Sequence, residues 1–149
     1  MAYKIPKSVL VLVHTTRQVL LLERVRPAGF WQSVTGSLEP GEDWRQAAER
    51  ELAEETGFAA TNLIDTGVRN CFPIVPPWSE RYAPGVTENE ERIFTLLLAT
   101  PEAPRLRPSE HCRFAWLPPR AAAERCGSYT NRNAILRLFG PLDEAAQAS

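Results

Sequence analysis

The stretch Gly36-Ser-Leu-Glu-Pro-Gly-Glu-Asp-Trp-Arg-Gln-Ala-Ala-Glu-Arg-Glu-Leu-Ala-Glu-Glu-Thr-Gly-Phe58 spaces its carboxylates in a way that a solvated surface does not explain. A helix advances about 100° per residue. Trp44, Ala47, Ala48 and Leu52 then share one side, and Glu51 and Glu55, one turn apart, project from the middle of it with Glu54 flanking. A surface helix ordinarily sets its acids opposite its apolar stripe. Solvation accounts for Glu49 but not for Glu51 and Glu55. Like charges one turn apart repel, and half-buried carboxylates that close need a cation or a proton. Magnesium meets the need: it is a hard ion that takes carboxylate oxygens, keeps several waters and bridges phosphates. Manganese, which favours the same oxygen donors, is a substitute. Arg50 could pair with Glu42 or Glu54 and hold the carboxylates in place.

Several elements must position this helix. Val9 to Val13 reads as a buried strand, Thr15 to Gln18 as a turn and Val19 to Leu22 as the returning strand of a hairpin. Phe30 to Ser37 has strand character. Asp43 and Gln46 have capping-box spacing at the helix start, and Gly57 is placed to close the helix in a left-handed conformation. Gly36 and Gly41 let the preceding loop fold back, which could bring a backbone carbonyl to a metal. Asn62 to Val68, Arg92 to Ala99 and Arg113 to Leu117 read as further strands. A loop with Pro73, Pro76, Pro77 and Pro84 lies between the first two, long enough to suggest a functional role. Pro118 and Pro119 open a helix through Arg125, and Asn131 to Phe139 forms a short last one. The expectation is a mixed α/β sandwich in one domain over residues 1–140, with 141–149 frayed.

Composition narrows the partners. The formal net charge of −1 gives no global case for nucleic acid or a membrane surface, although 17 Lys and Arg leave room for a local basic pocket. The apolar run near the N-terminus is too short to span a bilayer. An odd set of three cysteines without CxxC spacing argues against a disulfide framework or zinc site, and suits reduced thiols in the cytoplasm. No feature of the sequence signals an oligomeric state.

Residues 36–58 resemble the Nudix box, G-x5-E-x7-R-E-U-x-E-E-x-G-U, where U is a bulky apolar residue. Every fixed position matches: Gly36, Glu42, Arg50, Glu51, Leu52, Glu54, Glu55, Gly57 and Phe58. The resemblance implies an α+β fold, an α/β/α sandwich with a mixed sheet and a loop–helix–loop catalytic motif. It also implies hydrolysis of a nucleoside diphosphate linked to another moiety. By the same resemblance Glu51, Glu54 and Glu55 are metal ligands, the Gly36 carbonyl is a further one, and Arg50 belongs to the catalytic group. One carboxylate, or a glutamate from outside the box, would take a proton from the attacking water. Glu110 in Pro108-Ser109-Glu110-His111 is the outside candidate, as base or ligand; its other reading is a solvated loop acid. For His111 the expectation is a solvated loop, its other reading being a ring that tunes the neighbouring Glu110, and for His14 a packed or exposed ring.

The segments around the box, Phe30-Trp31-Gln32-Ser33-Val34-Thr35, Arg81-Tyr82-Ala83-Pro84-Gly85-Val86-Thr87 and Ser128-Tyr129-Thr130-Asn131-Arg132-Asn133, together with Tyr3-Lys4, are similar to a bacterial branch of the family. That branch converts dihydroneopterin triphosphate to the monophosphate and pyrophosphate early in folate biosynthesis. The similarity implies a small triphosphate substrate, a pterin or a purine nucleotide such as dATP. It implies that Lys4, Arg24 and Thr35 meet the triphosphate or its surroundings, that Phe72 to Val75, Ile74 included, meet the pterin side, and that Arg81, Tyr82 and Ser128 also meet the ligand. A broader nucleoside triphosphate or dinucleoside polyphosphate hydrolase shares the same box. A non-catalytic nucleotide-binding module usually loses box carboxylates, whereas Glu51, Glu54 and Glu55 are all present.

Overall fold

The computed structural model describes residues 2–148, with side chains described through Leu142. Strand β1 (Lys7–His14) is buried from Ser8 to Val13 because both its faces and both its edges are covered. On one edge it runs parallel to β6 (Glu88–Leu97), in register from Lys7↔Glu90 to His14↔Leu97. On the other it pairs antiparallel with β4 (Val34–Ser37), from Ser8↔Ser37 to Val11↔Val34. With its edges so occupied, β1 meets β2 (Val19–Arg24) only at His14↔Val19, and the expected hairpin shrinks to its turn. Strand β2 takes β3 (Trp31–Gln32) and β7 (His111–Leu117) as its main partners. Strand β5 (Leu63–Pro73) closes the far edge against β6. Among the described residues the sheet has seven strands and is mixed, as expected.

Alternation along β1 feeds two cores. Val9, Val11 and Val13 pack with Leu20, Leu22 and Phe94 under α1 (Trp44–Thr56), which contributes Ala47, Ala48 and Leu52. Leu10 and Leu12 pack with Val19, Leu21 and Ile93 under α2 (Pro119–Arg125) and α3 (Tyr129–Ala148), which contribute Ala122, Ala123, Ile135 and Phe139. The result is the expected sandwich with helices on both faces of the sheet.

Several boundaries differ from expectation. The Phe30 to Ser37 segment splits at Ser33, whose N–H leaves the ladder for Asn131 Oδ1 at 2.8 Å. Strand β5 runs on to Pro73 and β6 begins at Glu88, because the two pair from Cys71↔Glu90 to Pro73↔Glu88. The proline-rich connection is shorter for it, and Trp78–Arg81 forms a 3-10 turn inside it. The last helix spans Tyr129–Ala148, carrying Pro141 within it, instead of stopping at Phe139. The frayed tail expected from residue 141 falls largely outside the residues whose side chains are described.

Candidate active site

The box helix forms for the local reasons its sequence gives. Asp43 accepts from the Gln46 N–H at 2.8 Å while the Gln46 side chain accepts from the Asp43 N–H at 2.9 Å, so the first turn is capped reciprocally. Gly57, at φ 76°, ends the helix with its N–H on the Ala53 carbonyl. The buried side is Ala47, Ala48, Glu51, Leu52, Glu55 and Thr56, so both acids do share the apolar face.

Arg50 organises the carboxylates at the mouth. Its Nε and Nη2 donate to Glu42 at 2.8 and 2.9 Å, its Nη1 to Glu51 at 2.6 Å and Glu54 at 3.4 Å, and its Nη2 also to the Ser37 carbonyl at 3.0 Å. The two expected pairings, with Glu42 and with Glu54, therefore coexist. A bidentate guanidinium of this kind fixes geometry as well as charge, and it holds the Glu42 carboxyl below its usual range. Gly36 has a different use from Gly41. Gly41 sits in the left-handed region at φ 78°, whereas a Cβ on Gly36 would overlap the Glu51 carboxylate. Position 36 must lack a side chain so that Glu51 can lie against the β4 backbone.

Glu55 is 1% exposed, and neither of its oxygens has a hydrogen-bond partner. Burial, then the adjacent Glu51, pushes its carboxyl well above the usual range. Glu51 is raised too, again by burial first. Beside Glu55 the start of β7 brings Glu110 and His111, and one ligand atom from each of the three lies within 4.8 Å of the others. His111 is 1% exposed and not the solvated loop residue expected, because it pairs with Arg24 as the first residue of β7. Gln32 Nε2 meets its Nε2 at 3.1 Å, so with the amide as donor a neutral imidazole carries its proton on Nδ1, which lies 3.8 Å from Glu55 Oε1. Burial, with Arg24 nearby, pushes His111 down to about 4 and keeps it neutral. Two buried oxygens without donors, beside a second carboxylate and a neutral imidazole, fit a hard divalent cation. Glu54 stands apart from this cluster: its carboxylate is shared by Arg50 and by Arg107 at 3.3 Å.

Two cavities open around the box. One, of about 310 Å³, is lined by Phe30, Phe72, Ile74, Trp78, Tyr82 and Ser128. The other is lined by Arg50, Glu51, Glu110 and Ser109. Lys4, Arg24, Thr35, Gly36 and Arg81 line both. Every residue expected to touch substrate thus lies on one or both walls. Thr35 also donates to the Val9 carbonyl at 2.8 Å, which ties it to β1. Phe30 and Trp78 meet edge to face at 5.9 Å, and the Arg24 and Arg81 guanidinium groups lie 5.3 and 5.8 Å from the Trp78 ring. Trp78, Gln32 and His111 were not among the expected site residues. The proline-rich loop was the available signal for Trp78; the other two reach the site through pairing with β2.

The NUDIX domain family matches residues 4–138. The chain belongs to the Nudix family. It is 42% identical over 139 residues to the dihydroneopterin triphosphate diphosphatase of Escherichia coli, covering 89% of this chain and 91% of that protein. It is 38% identical over 145 residues to the protein of the same description from Haemophilus influenzae, covering 93% and 90%. The solved structure of the E. coli dihydroneopterin triphosphate pyrophosphohydrolase superposes with a TM-score of 0.87 at 40% identity, over 93% of this chain and 98% of that one. The Nudix box is thus the capped helix α1 with its flanking loops, and its inner face supplies Glu51 and Glu55. The three cysteines are free, with Cys126 in the core and Cys71 and Cys112 exposed. Among the described residues no helix is long and apolar enough to cross a membrane.

Proposed function

We propose that this Nudix enzyme cleaves dihydroneopterin triphosphate into dihydroneopterin monophosphate and pyrophosphate, with magnesium as its working cation and manganese as a substitute, in the cytoplasm. The observation that carries the reading is the trio Lys4, Arg24 and Arg81 on the seam between an aromatic, ring-sized cavity and the carboxylate cluster. A flat ring carrying a triphosphate needs that order of environments: an apolar slot, then cations, then a metal site.

Each group then has a task. Phe30, Phe72, Ile74, Trp78, Tyr82 and Ser128 bind the ring side, while Lys4, Arg24, Arg81 and Thr35 orient the phosphates. Glu51, Glu54 and Glu55, with the Gly36 carbonyl, are the groups that would hold the cation. Arg50 keeps Glu51 aligned. When bound, the ion supplies positive charge against the phosphate oxygens and lowers the pKa of a water. Water oxygen bonds to phosphorus at the bridge between the α- and β-phosphates, the P–O bond of that bridge breaks, and the monophosphate and pyrophosphate separate. Glu110, on the wall of the open cavity and less buried than Glu55, is placed to take the proton released by the water. His111, held by Gln32 at 3.1 Å, stands behind Glu55 at 3.8 Å.

The test is a substrate panel in magnesium with phosphate and pyrophosphate products resolved. Dihydroneopterin triphosphate should give the highest kcat/KM and release pyrophosphate. A clear preference for dATP, 8-oxo-dGTP or a dinucleoside polyphosphate would overturn the assignment.

A further inference from the structure

Two side chains on the wall of the ring cavity have no part in phosphate binding or hydrolysis. Glu91 is 4% exposed and Asn89 1%, and both line the cavity from β6. They alternate with Ile93, on the sheet face that packs under α2 and α3. Asn89 Nδ2 donates to Ser8 Oγ at 2.7 Å, and nearby Asn70 and Thr130 offset part of the effect of burial on the Glu91 carboxyl. One oxygen of each nevertheless has no partner: Glu91 Oε1 and Asn89 Oδ1. A buried acceptor without a donor is costly, and a charged one more so. Folded proteins rarely keep such atoms without a use. Here the two side chains that carry them line a cavity sized for a ring.

We propose that Glu91, with Asn89 beside it, reads the ring of the substrate by accepting hydrogen bonds from the adjacent ring N–H and exocyclic amine of a 2-amino-4-oxopyrimidine edge. This rests on the reading that a pterin triphosphate binds with its ring in this cavity. The edge offers donors where Glu91 and Asn89 offer acceptors, and the Glu91 charge strengthens its bond. A ring with oxygen in place of the amine sets acceptor against acceptor. Burial already raises the Glu91 carboxyl above its usual range, so the paired edge relieves a cost built into the free protein. Aromatic stacking holds any flat ring; Glu91 selects among flat rings.

The experiment compares kcat/KM within two substrate pairs, for the wild type and for Glu91→Gln. One pair is dihydroneopterin triphosphate and its analogue with oxygen replacing the 2-amino group; the other is dGTP and dITP, which differ by the same amine. The wild type should favour the amino member of each pair by about tenfold or more, the scale of a hydrogen bond to a charged group. In Glu91→Gln, whose amide turns a donor toward a donor, the preference should collapse towards unity. Equal treatment of both pairs by the wild type overturns the proposal without any variant, and a preference retained in a folded Glu91→Gln protein overturns it as well. If the wild type favours some other nucleotide over the pterin, the functional reading fails separately, and the dGTP and dITP pair still decides the role of Glu91.

Discussion

Glu55 and Glu51 are carboxylates that a folded chain would not bury together without a use for them. Replacing one of two crowded buried acids by its amide removes charge while keeping shape. Glu55→Gln should therefore leave the fold intact by circular dichroism and lower metal-dependent kcat by on the order of 10³-fold, within the range for lost metal or acid–base groups. Turnover like the wild type in that variant would falsify the metal-site reading. Gly36 makes a sharper case, because its role is space and not conformation. A Cβ there would overlap the Glu51 carboxylate, so Gly36→Ala must displace Glu51 from β4 and from Arg50. The expected result is a strong loss of kcat with thermal stability nearly kept; an active Ala variant would show that Glu51 has room to move. At this scale the box was legible because Glu51, Glu54 and Glu55 lie on one helix with fixed angular spacing. His111 and Glu91 were not, because strand pairing across distant parts of the chain buries them, and an isolated His or Glu in a strand looks like a surface residue.

Among the elements, β7 brings His111, and Glu110 just before it, to the helix, so its register against β2 matters to the site. A single charged pair marks that register. Glu23 lies opposite Arg113, whose Nε and Nη2 each donate to its carboxylate at 2.8 Å. Those bonds, with Cys112 Sγ, hold the Glu23 carboxyl at about 2, below its ordinary 4.5. Between those values the unfolded chain binds the extra proton, so stability rises with pH there. The contribution of the pair is fully present above 4.5 and lost as pH falls through 2. Urea midpoints for the wild type and Arg113→Met should differ above that window and converge at its acid end; a constant difference would remove the pair from the account. The strands themselves were readable from apolar runs and turn residues, and the caps of α1 from Asp43, Gln46 and Gly57. What the pattern left open was partnership. Val9 to Val13 and Val19 to Leu22 look like a hairpin, yet β1 gives its edges to β6 and β4. That choice depends on residues far along the chain, which no local window contains.

For the molecule as a whole, the sandwich places ring pocket and carboxylates on a common seam, and the seam is positively charged in a chain whose net charge is −1. Lys4 comes from the segment before β1, Arg24 from the end of β2 and Arg81 from the 3-10 turn, with the Lys4 N–H on the Arg81 carbonyl at 2.9 Å holding the first and last together. Their crowding is unfavourable in the free protein: burial, then Arg81 and Arg24, lowers the Lys4 pKa. A triphosphate reverses the sign of that interaction, which makes the trio a binding device more than a stabilising one. Lys4→Met should accordingly raise KM for a triphosphate by about tenfold, the effect of one lost charge-assisted contact, without lowering thermal stability, since a mutual repulsion goes with the charge. Because salt screens partly exposed charges over about 10 Å at 0.1 M, log kcat/KM should fall with ionic strength in the wild type and fall less steeply in Lys4→Met. If the variant kept both the wild-type KM and the wild-type salt slope, the phosphates would have to run elsewhere, and the seam between the two cavities would lose its role.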